Sequence, residues 1–353
     1  MLNNSLQNIA SFQSQNADII DLLARLFHLK GNPYKPYKPM EFLFRKDQPV
    51  NTVLKTGRQV SKTTTVIIQH ILQCATIDYF TALCVTPLES QALRLSSLFI
   101  RPILDESLIP RILPLISRQA LTYTLRNNSS IILSYAHDDP ERTRGVPGDK
   151  LHVDEAQDMN IKFIPIIHAA LSASKYQWSI YTGTPKTHNN TLQYLWLQSS
   201  QDEWATKCTH CGHWNIASLE HDLEKMIGPY RDDISLENPA TICAKCQKII
   251  NPADGGWVSA IPDRFDHFVG LHIPQVIIPR IYGDKLGWSQ LLAKQKGMYS
   301  TTPADFCREV LGEASDVSAK LLTLKELQDV ATLGRKDEIE RIKNSLRAYN
   351  FTT

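Results

Sequence analysis

The sequence predicts an α/β fold in which helices cover a largely parallel β-sheet. Between Pro49 and Pro185, apolar strand-like runs mostly alternate with segments of helical periodicity. Thr81–Thr86 is a short apolar run that ends at a proline, as a buried parallel strand does. Because strand, helix and strand follow in this order, we expect parallel pairing. Ligands bind such sheets at the carboxyl ends of the strands, where the most informative motifs of this chain also lie.

The first 48 residues precede this alternation. Helical periodicity ends near Phe27, with a capping signal near Asn16–Asp18. The following GNPYKPYKPMEF is rich in proline and should form an extended, irregular strap. Tyr34 or Tyr37 of the strap could lie against a nucleotide base, or the strap could simply cover the surface.

The elements of residues 49–200 follow from periodicity and turn signals. Two of the strand-like runs flank RNNSS, which predicts a hairpin. In chain order we predict a strand Pro49–Leu54, a helix Val66–Cys74, a strand Thr81–Thr86, a helix Leu88–Ile103, hairpin strands Leu121–Leu125 and Ile131–Tyr135, a strand ending in Asp154, a helix Ile161–Ala173 and a strand Trp178–Tyr181.

The first informative motif is LKTGRQVSKTTT, Leu54–Thr65, which lies between the first strand and its helix. A phosphate-binding loop needs curled backbone N–H groups, a lysine for the outer phosphates, a hydroxyl for Mg²⁺ and a helix N-terminus facing the anion. Lys62 and Thr63 match these roles. The pattern G-x-x-x-x-G-K-[ST] would place its glycines at Thr56 and Ser61, whereas Gly57 falls one position late. A plain strand, turn and helix is the alternative.

The second motif is LHVDEAQDM, an apolar strand that ends on two carboxylates. Burying such groups is costly unless a cation or a donor lies nearby. At a nucleotide-hydrolysing site, Asp154 would hold Mg²⁺ opposite the loop hydroxyl, and Glu155 would polarise the attacking water. Both could instead cap the following helix.

Two further loops carry candidate residues. YTGTP follows the next strand, so that Thr182 and Thr184 could contact the γ-phosphate or the attacking water; a tight turn is the simpler explanation. In HDDPERTRGVPGDK, Arg142 or Arg144 could stabilise phosphate charge in the transition state, although a surface ion-pair loop is nearly as good an interpretation. Arg58, within the phosphate loop, is the competing candidate.

The cysteines predict a zinc site. Cys208-x-x-Cys211 and Cys243-x-x-Cys246 each lie in a turn-like context, and together they offer the four thiolates of a structural tetrahedral site. A redox dithiol, or a site completed by His210 or His213, remains an alternative. The other three cysteines are expected to be reduced core residues.

The composition excludes several functional classes. The 353 residues are 42% hydrophobic and 21% charged, which is typical of a globular protein with a sizeable core. Because the net charge is only +2, contacts with nucleic acid would use local basic patches. The N-terminus lacks the pattern of a signal peptide, and no apolar run approaches the roughly 18 residues that a bilayer requires. We therefore expect a soluble, intracellular protein without membrane contact.

Taken in order, GRQVSK, VDEAQD, TGTP and FCREVLGE (Phe306–Glu313) resemble motifs of the large subunit of tailed-phage terminases, the DNA-packaging ATPases. The C-x-x-C pair that follows the ATPase motifs is similar to the lambda-like branch. The resemblance spans roughly Lys55 to Glu313 and is most specific in the R-Q-V-x-K-[ST] form of the phosphate loop. It implies a P-loop NTPase fold with a zinc-ribbon-like insertion, with ATP, Mg²⁺ and Zn²⁺ as cofactors. It also implies subunits that form a homo-oligomeric ring on the portal protein, work with a small terminase subunit in the host cytoplasm, and push double-stranded DNA into the procapsid.

The resemblance also implies residue roles. Lys62 and Thr63 would bind phosphates and Mg²⁺, Asp154 the metal, and Glu155 the attacking water. Thr182 and Thr184 would couple hydrolysis to movement, and Arg58 or Arg144 would act on phosphate. The expected nucleotide-contacting residues are Thr56, Gly57, Gln59, Ser61, Lys62, Thr63, Thr64, Thr182 and Thr184.

The domain organisation follows from the motifs. Residues 1–48 would form the N-terminal helix and strap, 49–200 the ATPase core, 201–260 a zinc-knuckle module, 261–320 a return to the ATPase domain and 321–353 a helical tail.

The chain departs from the family pattern twice. Ser61 stands at a glycine position, which would cost about 1 kcal/mol and weaken nucleotide binding. Family members continue into a nuclease, whereas the acidic residues of the tail (Asp329, Asp337, Glu338 and Glu340) lie in a helical, lysine-rich context. We therefore expect a motor without nuclease activity, with the nuclease carried by another chain, lost, or encoded outside this stretch of sequence. A helicase-like ATPase and a zinc-stabilised scaffold with a decayed ATPase site are the alternatives.

Overall fold

The computed structural model describes residues 17–47, 49–136, 139–228 and 241–316. Its strands, in chain order, are β1 His28–Leu29, β2 Asn32–Pro33, β3 Asn51–Thr56, β4 Thr81–Thr86, β5 Leu115–Arg118, β6 Thr122–Leu125, β7 Ser130–Tyr135, β8 Lys150–Val153, β9 Trp178–Gly183, β10 Asp202–Lys207, β11 Trp214–Ile216, β12 Gly256–Ser259 and β13 Phe268–Ile273. Its α-helices are α1 Ala17–Leu26, α2 Lys62–Thr76, α3 Glu89–Leu95, α4 Arg101–Glu106, α5 Ile109–Ile112, α6 Ile164–His168, α7 Thr191–Gln198, α8 Leu223–Met226, α9 Pro279–Tyr282, α10 Lys285–Gln295 and α11 Pro303–Phe306.

Strands β3 to β13 form one mixed sheet of 11 strands, in the order β11-β10-β13-β3-β9-β8-β4-β7-β6-β5, with β12 paired to β10. The pairs from β10 through β13, β3, β9, β8 and β4 to β7 are all parallel. Antiparallel strands lie at both ends of the sheet. The predicted α/β fold with a largely parallel sheet is confirmed, and the antiparallel β6–β7 pair is the predicted hairpin.

The two faces of the sheet bury different side chains because alternate residues of a strand point to opposite sides. One face packs against α2, where Leu54, Cys84 and Ile180 join a cluster with Ile67 and Ile71. The other face packs against α7, where Val53, Leu83, Leu151, Val153 and Tyr181 cluster with Leu192 and Trp196. At the carboxyl ends of β3, β9 and β8, every second side chain therefore points towards α2, the helix that follows the candidate phosphate loop.

Two local predictions are wrong. Residues Lys38–Phe44 of the strap form a 3₁₀ helix, since Pro39 suits its first turn and Met40, Phe42 and Leu43 are buried in the core. The helix expected over 161–173 is broken into two 3₁₀ turns, Ile161–Phe163 and Ala169–Leu171, around α6. In the strap, burial of these apolar side chains outweighs the extended preference of the proline-rich sequence. In the second segment, Pro165 has no N–H to donate and therefore stands in the first turn of α6 rather than inside a longer helix.

The N-terminal helix expected to end near Phe27 corresponds to α1, Ala17–Leu26. The expected helical tail, 321–353, lies outside the described residues. Within the described part of the chain, no helix has the length and apolar character needed to cross a membrane.

Candidate active site

The predicted motifs meet at one edge of the sheet. The neighbouring strands β3, β9 and β8 end, respectively, at the phosphate loop, at the TGTP turn and at Asp154. A direct contact joins the first two, because the Thr56 hydroxyl donates a hydrogen bond of 3.2 Å to the carbonyl oxygen of Gly183. A ligand bound to the loop would therefore also meet the ends of β9 and β8.

The loop places unpartnered donors at the start of a 15-residue helix. Gln59 and Ser61 both have left-handed backbones, with φ of 57° and 66°, which curls the chain ahead of Lys62. Among the described residues, the N–H groups of Ser61, Lys62 and Thr63 and the side chains of Lys62 and Thr63 have no hydrogen-bond partner. Aligned free N–H groups at a helix N-terminus form an anion-binding site.

The outer side of the loop is held by a segment from near the end of the described chain, the π-helical turn Cys307–Leu311. The Arg58 N–H donates to the Glu309 carbonyl at 2.7 Å, and its guanidinium donates to the Glu309 carboxylate at 2.9 Å. A Cβ added to Gly57 would lie 2.8 Å from the carbonyl oxygen of Val310 and 3.0 Å from that of Glu309. Glycine is thus required at position 57 by the packing of this segment. The structure pairs Arg58 with Glu309, while 63% of its side chain stays exposed.

The first carboxylate is fixed by its neighbour on β9. Asp154 is 7% exposed, and its Oδ1 accepts a hydrogen bond of 2.6 Å from the Thr182 hydroxyl. Its other oxygen has no hydrogen-bond partner among the described residues. The arrangement leaves one carboxylate oxygen for a cation on the α2 side of the sheet.

The second carboxylate lies in a strained turn. Glu155 has a left-handed backbone, φ 54°, directly after Asp154, and Gln157 Nε2 donates a hydrogen bond of 2.5 Å to its carboxylate. In the TGTP turn at the same edge, the hydroxyl of Thr184 is buried without a hydrogen-bond partner in the described chain. A buried unpaired hydroxyl costs about 1–3 kcal/mol, which a ligand atom could offset.

The candidate arginine of the adjacent loop lies on the surface. Arg144 forms an ion pair of 3.1 Å with Glu141, and 58% of its side chain is exposed. The guanidinium of Arg142 stacks over the ring of Tyr135, with 4.8 Å to the ring centroid. Each guanidinium is therefore held by a neighbour close in sequence, and the structure describes no contact of either with the phosphate loop.

A buried ionic cluster beneath the loop was not expected from the sequence. Lys55 of β3 pairs with Glu313 at 2.5 Å and lies over the ring of Trp196, with 4.2 Å to the centroid. Next to it, both ring nitrogens of His272 face acceptors, the Glu203 carboxylate at 2.6 Å and the Leu311 carbonyl at 2.8 Å. Burial alone would lower the pKa of His272, but the carboxylates of Glu203 and Glu313 raise it. The partners are too far apart in sequence for any local pattern to reveal them.

A second buried group lies along β8. The Lys150 ammonium donates to Gln69 at 2.6 Å and to Gln73 at 3.2 Å on α2. Because it is desolvated, the pKa of Lys150 falls to about 7. These bonds tie β8 to the helix of the phosphate loop.

The four cysteines of the two C-x-x-C motifs come together. Their sulfur atoms all lie within 4.8 Å of one another, and the distances Cys208 to Cys246 and Cys211 to Cys243 are 3.6 and 3.7 Å. Gly212 and Gln247, which follow the second cysteine of each pair, both have a left-handed backbone, with φ of 73° and 60°. Zinc–sulfur bonds of about 2.3 Å in a tetrahedron require sulfurs roughly 3.8 Å apart. The sulfur geometry therefore fits a tetrahedral thiolate metal site.

Comparisons with known proteins identify a family and a fold. The model of the family described as "Phage terminase large subunit gpA, ATPase domain" matches residues 27–260. The crystal structure of the HK97 bacteriophage large terminase is similar to this chain with a TM-score of 0.55 at 12% identity, covering 84% of this chain and 54% of that one. At this identity the likeness concerns the fold alone, and the chain spans about half the length of the HK97 protein.

Two other solved structures are similar at a lower score. The ATPase domain of the Thermus phage P74-26 large terminase aligns with a TM-score of 0.49 and 14% identity, over 84% of this chain and 97% of that one. The large terminase of another thermophilic bacteriophage, in complex with ADP, aligns with a TM-score of 0.45 and 12% identity, over 78% of this chain and 52% of that one. No curated protein sequence gives a match.

Proposed function

This chain belongs to the family of phage terminase large subunit gpA ATPase domains, and on that premise we propose that it hydrolyses ATP to move double-stranded DNA into a viral procapsid. One observation carries the proposal. A helix N-terminus with free N–H groups, a lysine without a partner in the described chain and two adjacent carboxylates meet at one edge of a parallel sheet. This combination suits a nucleoside triphosphate, which needs donors for its phosphates and carboxylates for a metal ion and a water molecule.

In the proposed site, the loop residues bind the phosphates. The N–H groups of Ser61, Lys62 and Thr63 donate to phosphate oxygens, and the Lys62 ammonium neutralises the outer phosphates. Thr56, Gly57 and Gln59 shape the loop, while Thr64 lies in the first turn of α2. Because the matching family is one of ATPase domains, ATP is the nucleotide to test first.

A magnesium ion fits the same edge. The Thr63 hydroxyl and the free oxygen of Asp154 would hold it, and both lack a hydrogen-bond partner among the described residues. Bound there, Mg²⁺ would neutralise charge on the transferred phosphoryl group. Glu155 aligns the attacking water by accepting a hydrogen bond from it, and the buried Thr184 hydroxyl contacts the γ-phosphate or that water. We assign the phosphate-contacting arginine to Arg58 or Arg144.

Zinc is the proposed structural metal. Cys208, Cys211, Cys243 and Cys246 would hold it, and four thiolates leave no position for a catalytic water. The proposed partners are double-stranded DNA, the portal protein, a small terminase subunit and further copies of this chain in a ring, within the infected host cell. These partners follow from the family.

Two variants test the ATPase. Lys62→Ala should abolish ATP binding, and Glu155→Gln should bind ATP but hydrolyse it on the order of 100-fold more slowly or worse, because the water loses its base. Binding is measured by calorimetry and hydrolysis by phosphate release, with and without duplex DNA. The matched controls are Lys46→Ala and Glu220→Gln, which make the same substitutions at exposed positions. Both should bind and hydrolyse ATP as wild type does. Hydrolysis at the wild-type rate in Glu155→Gln would show that the catalytic assignment is wrong.

A further inference from the structure

A continuous hydrogen-bond chain runs behind the candidate metal-binding carboxylate. On β8, His152 lies two residues before Asp154 and on the same face of the sheet. Its Nε2 is 3.0 Å from the hydroxyl of Thr182, and that hydroxyl is 2.6 Å from Oδ1 of Asp154. His152 and Thr182 are both 0% exposed, so the chain is closed to solvent.

Counting protons gives the direction of each bond. The Thr182 hydroxyl has one proton, and a carboxylate oxygen can only accept. The hydroxyl must therefore donate to Asp154 and accept from His152, so that Nε2 of His152 has to be the protonated nitrogen. The direct distance from Nε2 to Asp154 Oδ1 is 4.0 Å, which makes Thr182 the connecting group.

The residues around the His152 ring keep its Nε2 directed at the Thr182 hydroxyl. The other ring nitrogen of His152 is buried and has no hydrogen-bond partner among the described residues. It lies in a fully buried group with Cys84 and His70, whose ring centroid is 5.2 Å from that of His152. Packing from β4 and α2 thus holds the imidazole with Nε2 towards Thr182.

We propose that His152 is a positioning residue for the metal-binding carboxylate: by donating from Nε2, it commits the Thr182 proton to Asp154 Oδ1 and leaves the second oxygen of Asp154 for the cation. This inference rests on the proposed function, since Asp154 is the proposed Mg²⁺ ligand. Hydrogen-bonding groups behind a metal ligand typically change metal affinity or activity roughly 10- to 100-fold when they are removed.

A pair of variants that differ mainly in one donor tests the proposal. His152→Met removes the donor, whereas His152→Gln keeps an N–H near the position of Nε2. We expect His152→Met to need roughly tenfold more free Mg²⁺ than wild type for half-maximal ATP hydrolysis. The Mg²⁺ requirement of His152→Gln should be close to that of wild type. Nucleotide binding in the absence of Mg²⁺ should be unchanged in both variants. His70→Leu, which alters the same buried group without touching Thr182, is the control and should keep the wild-type Mg²⁺ requirement. Equal requirements in His152→Met and wild type would overturn the proposal.

A double-mutant cycle separates positioning from a loss of packing. If the effect passes through Thr182, His152→Met should cause no further change in the Mg²⁺ requirement of a Thr182→Val protein. An undiminished effect in that background would mean that His152 acts only through packing.

NMR of the wild-type protein tests the hydrogen-bond chain without relying on ATPase activity. With ¹⁵N-labelled histidine, assigned through the spectrum of His152→Gln, Nε2 of His152 should carry the proton. An unprotonated Nε2 would overturn the inference. If the protein fails to hydrolyse ATP but shows protonated Nε2, the proposed function fails while the hydrogen-bond chain stands.

Discussion

At the scale of single residues, the phosphate loop is shaped by backbone positions that usually belong to glycine. Ser61 has φ of 66°, a left-handed conformation that a side chain disfavours by roughly 1–2 kcal/mol. The departure noticed in the sequence is therefore a real conformational cost. Gly57, in contrast, is needed because two carbonyl oxygens of the 307–311 turn leave no room for a Cβ.

Substitutions at Ser61 should change stability in opposite directions. We expect Ser61→Gly to raise the free energy of unfolding by up to about 1 kcal/mol, and Ser61→Val to lower it, because a β-branched residue fits the left-handed region worst. Urea titration measures both. Tyr79→Gly, at an exposed position with φ of 59° far from the loop in sequence, is the control and should gain a similar amount without changing ATP affinity. A loss of stability in Ser61→Gly would contradict this explanation.

Lys150 should make stability depend on pH. Its pKa is about 7 in the folded protein because of burial, against about 10.4 in an unfolded chain. Between these values the unfolded state binds one more proton, so the free energy of unfolding should rise with pH by at most about 1.4 kcal/mol per unit.

Chemical denaturation from pH 7 to 10 tests this slope. Lys150→Met should remove it, since no buried ammonium remains to be deprotonated. Lys30→Met, at an exposed position, should keep it. A slope that survives in Lys150→Met would assign the effect to another group.

At the scale of elements, the segment that ends in Glu313 joins the phosphate loop to the sheet. Its turn accepts the Arg58 N–H, and its Glu313 pairs with the buried Lys55 of β3. The sequence grouped this segment with the ATPase motifs by resemblance. Only the fold shows that it touches the loop itself.

Removing the Glu313 charge should be costly. Glu313→Gln leaves the Lys55 ammonium, with 3% of its side chain exposed, without its carboxylate, and loss of one partner of a buried pair costs roughly 3–5 kcal/mol. The exposed pair of Arg118 and Asp105 provides the control, since Asp105→Asn should cost less than about 1 kcal/mol. Equal losses in the two variants, measured by urea unfolding, would show that the Lys55–Glu313 pair contributes no more than a surface pair.

At the scale of the whole molecule, the cysteine cluster is attached to the central sheet. Strand β10 leads directly to Cys208 and pairs with β13, which in turn pairs with β3. Glu203 of β10 also reaches His272 of β13. A change at the cysteines can therefore reach the strand of the phosphate loop through two shared strands.

Metal analysis should find about one zinc ion per chain. The double variant Cys208→Ser/Cys243→Ser should lose it and melt at a lower temperature, because the sulfur pairs no longer close the module. Cys307→Ser, which lies outside the cluster, should keep the zinc. Unchanged metal content in the double variant would place the ligands elsewhere.

Local patterns in the sequence predict the elements but not the distant pairs. The strands and the loop around Lys62 are predictable because periodicity and turn residues act over a few positions. The 3₁₀ helix at Lys38–Phe44 is not, because burial decides its backbone. The pairing of Lys55 with Glu313 is not predictable either, because their positions are 258 apart and no short-range pattern encodes such a contact.

The α/β class, the family and the order of the motifs along the chain all follow from the amino-acid sequence. These depend on periodicity, residue type and spacing, which are local properties. Three features depend on the folded chain. Strand β9 lies between the strand of the loop and the strand of Asp154, Gly57 is required by its contacts with the 307–311 turn, and His152 hydrogen-bonds to Thr182. Such contacts arise when strands from separate parts of the chain pair side by side, because side chains far apart in sequence then share one buried face.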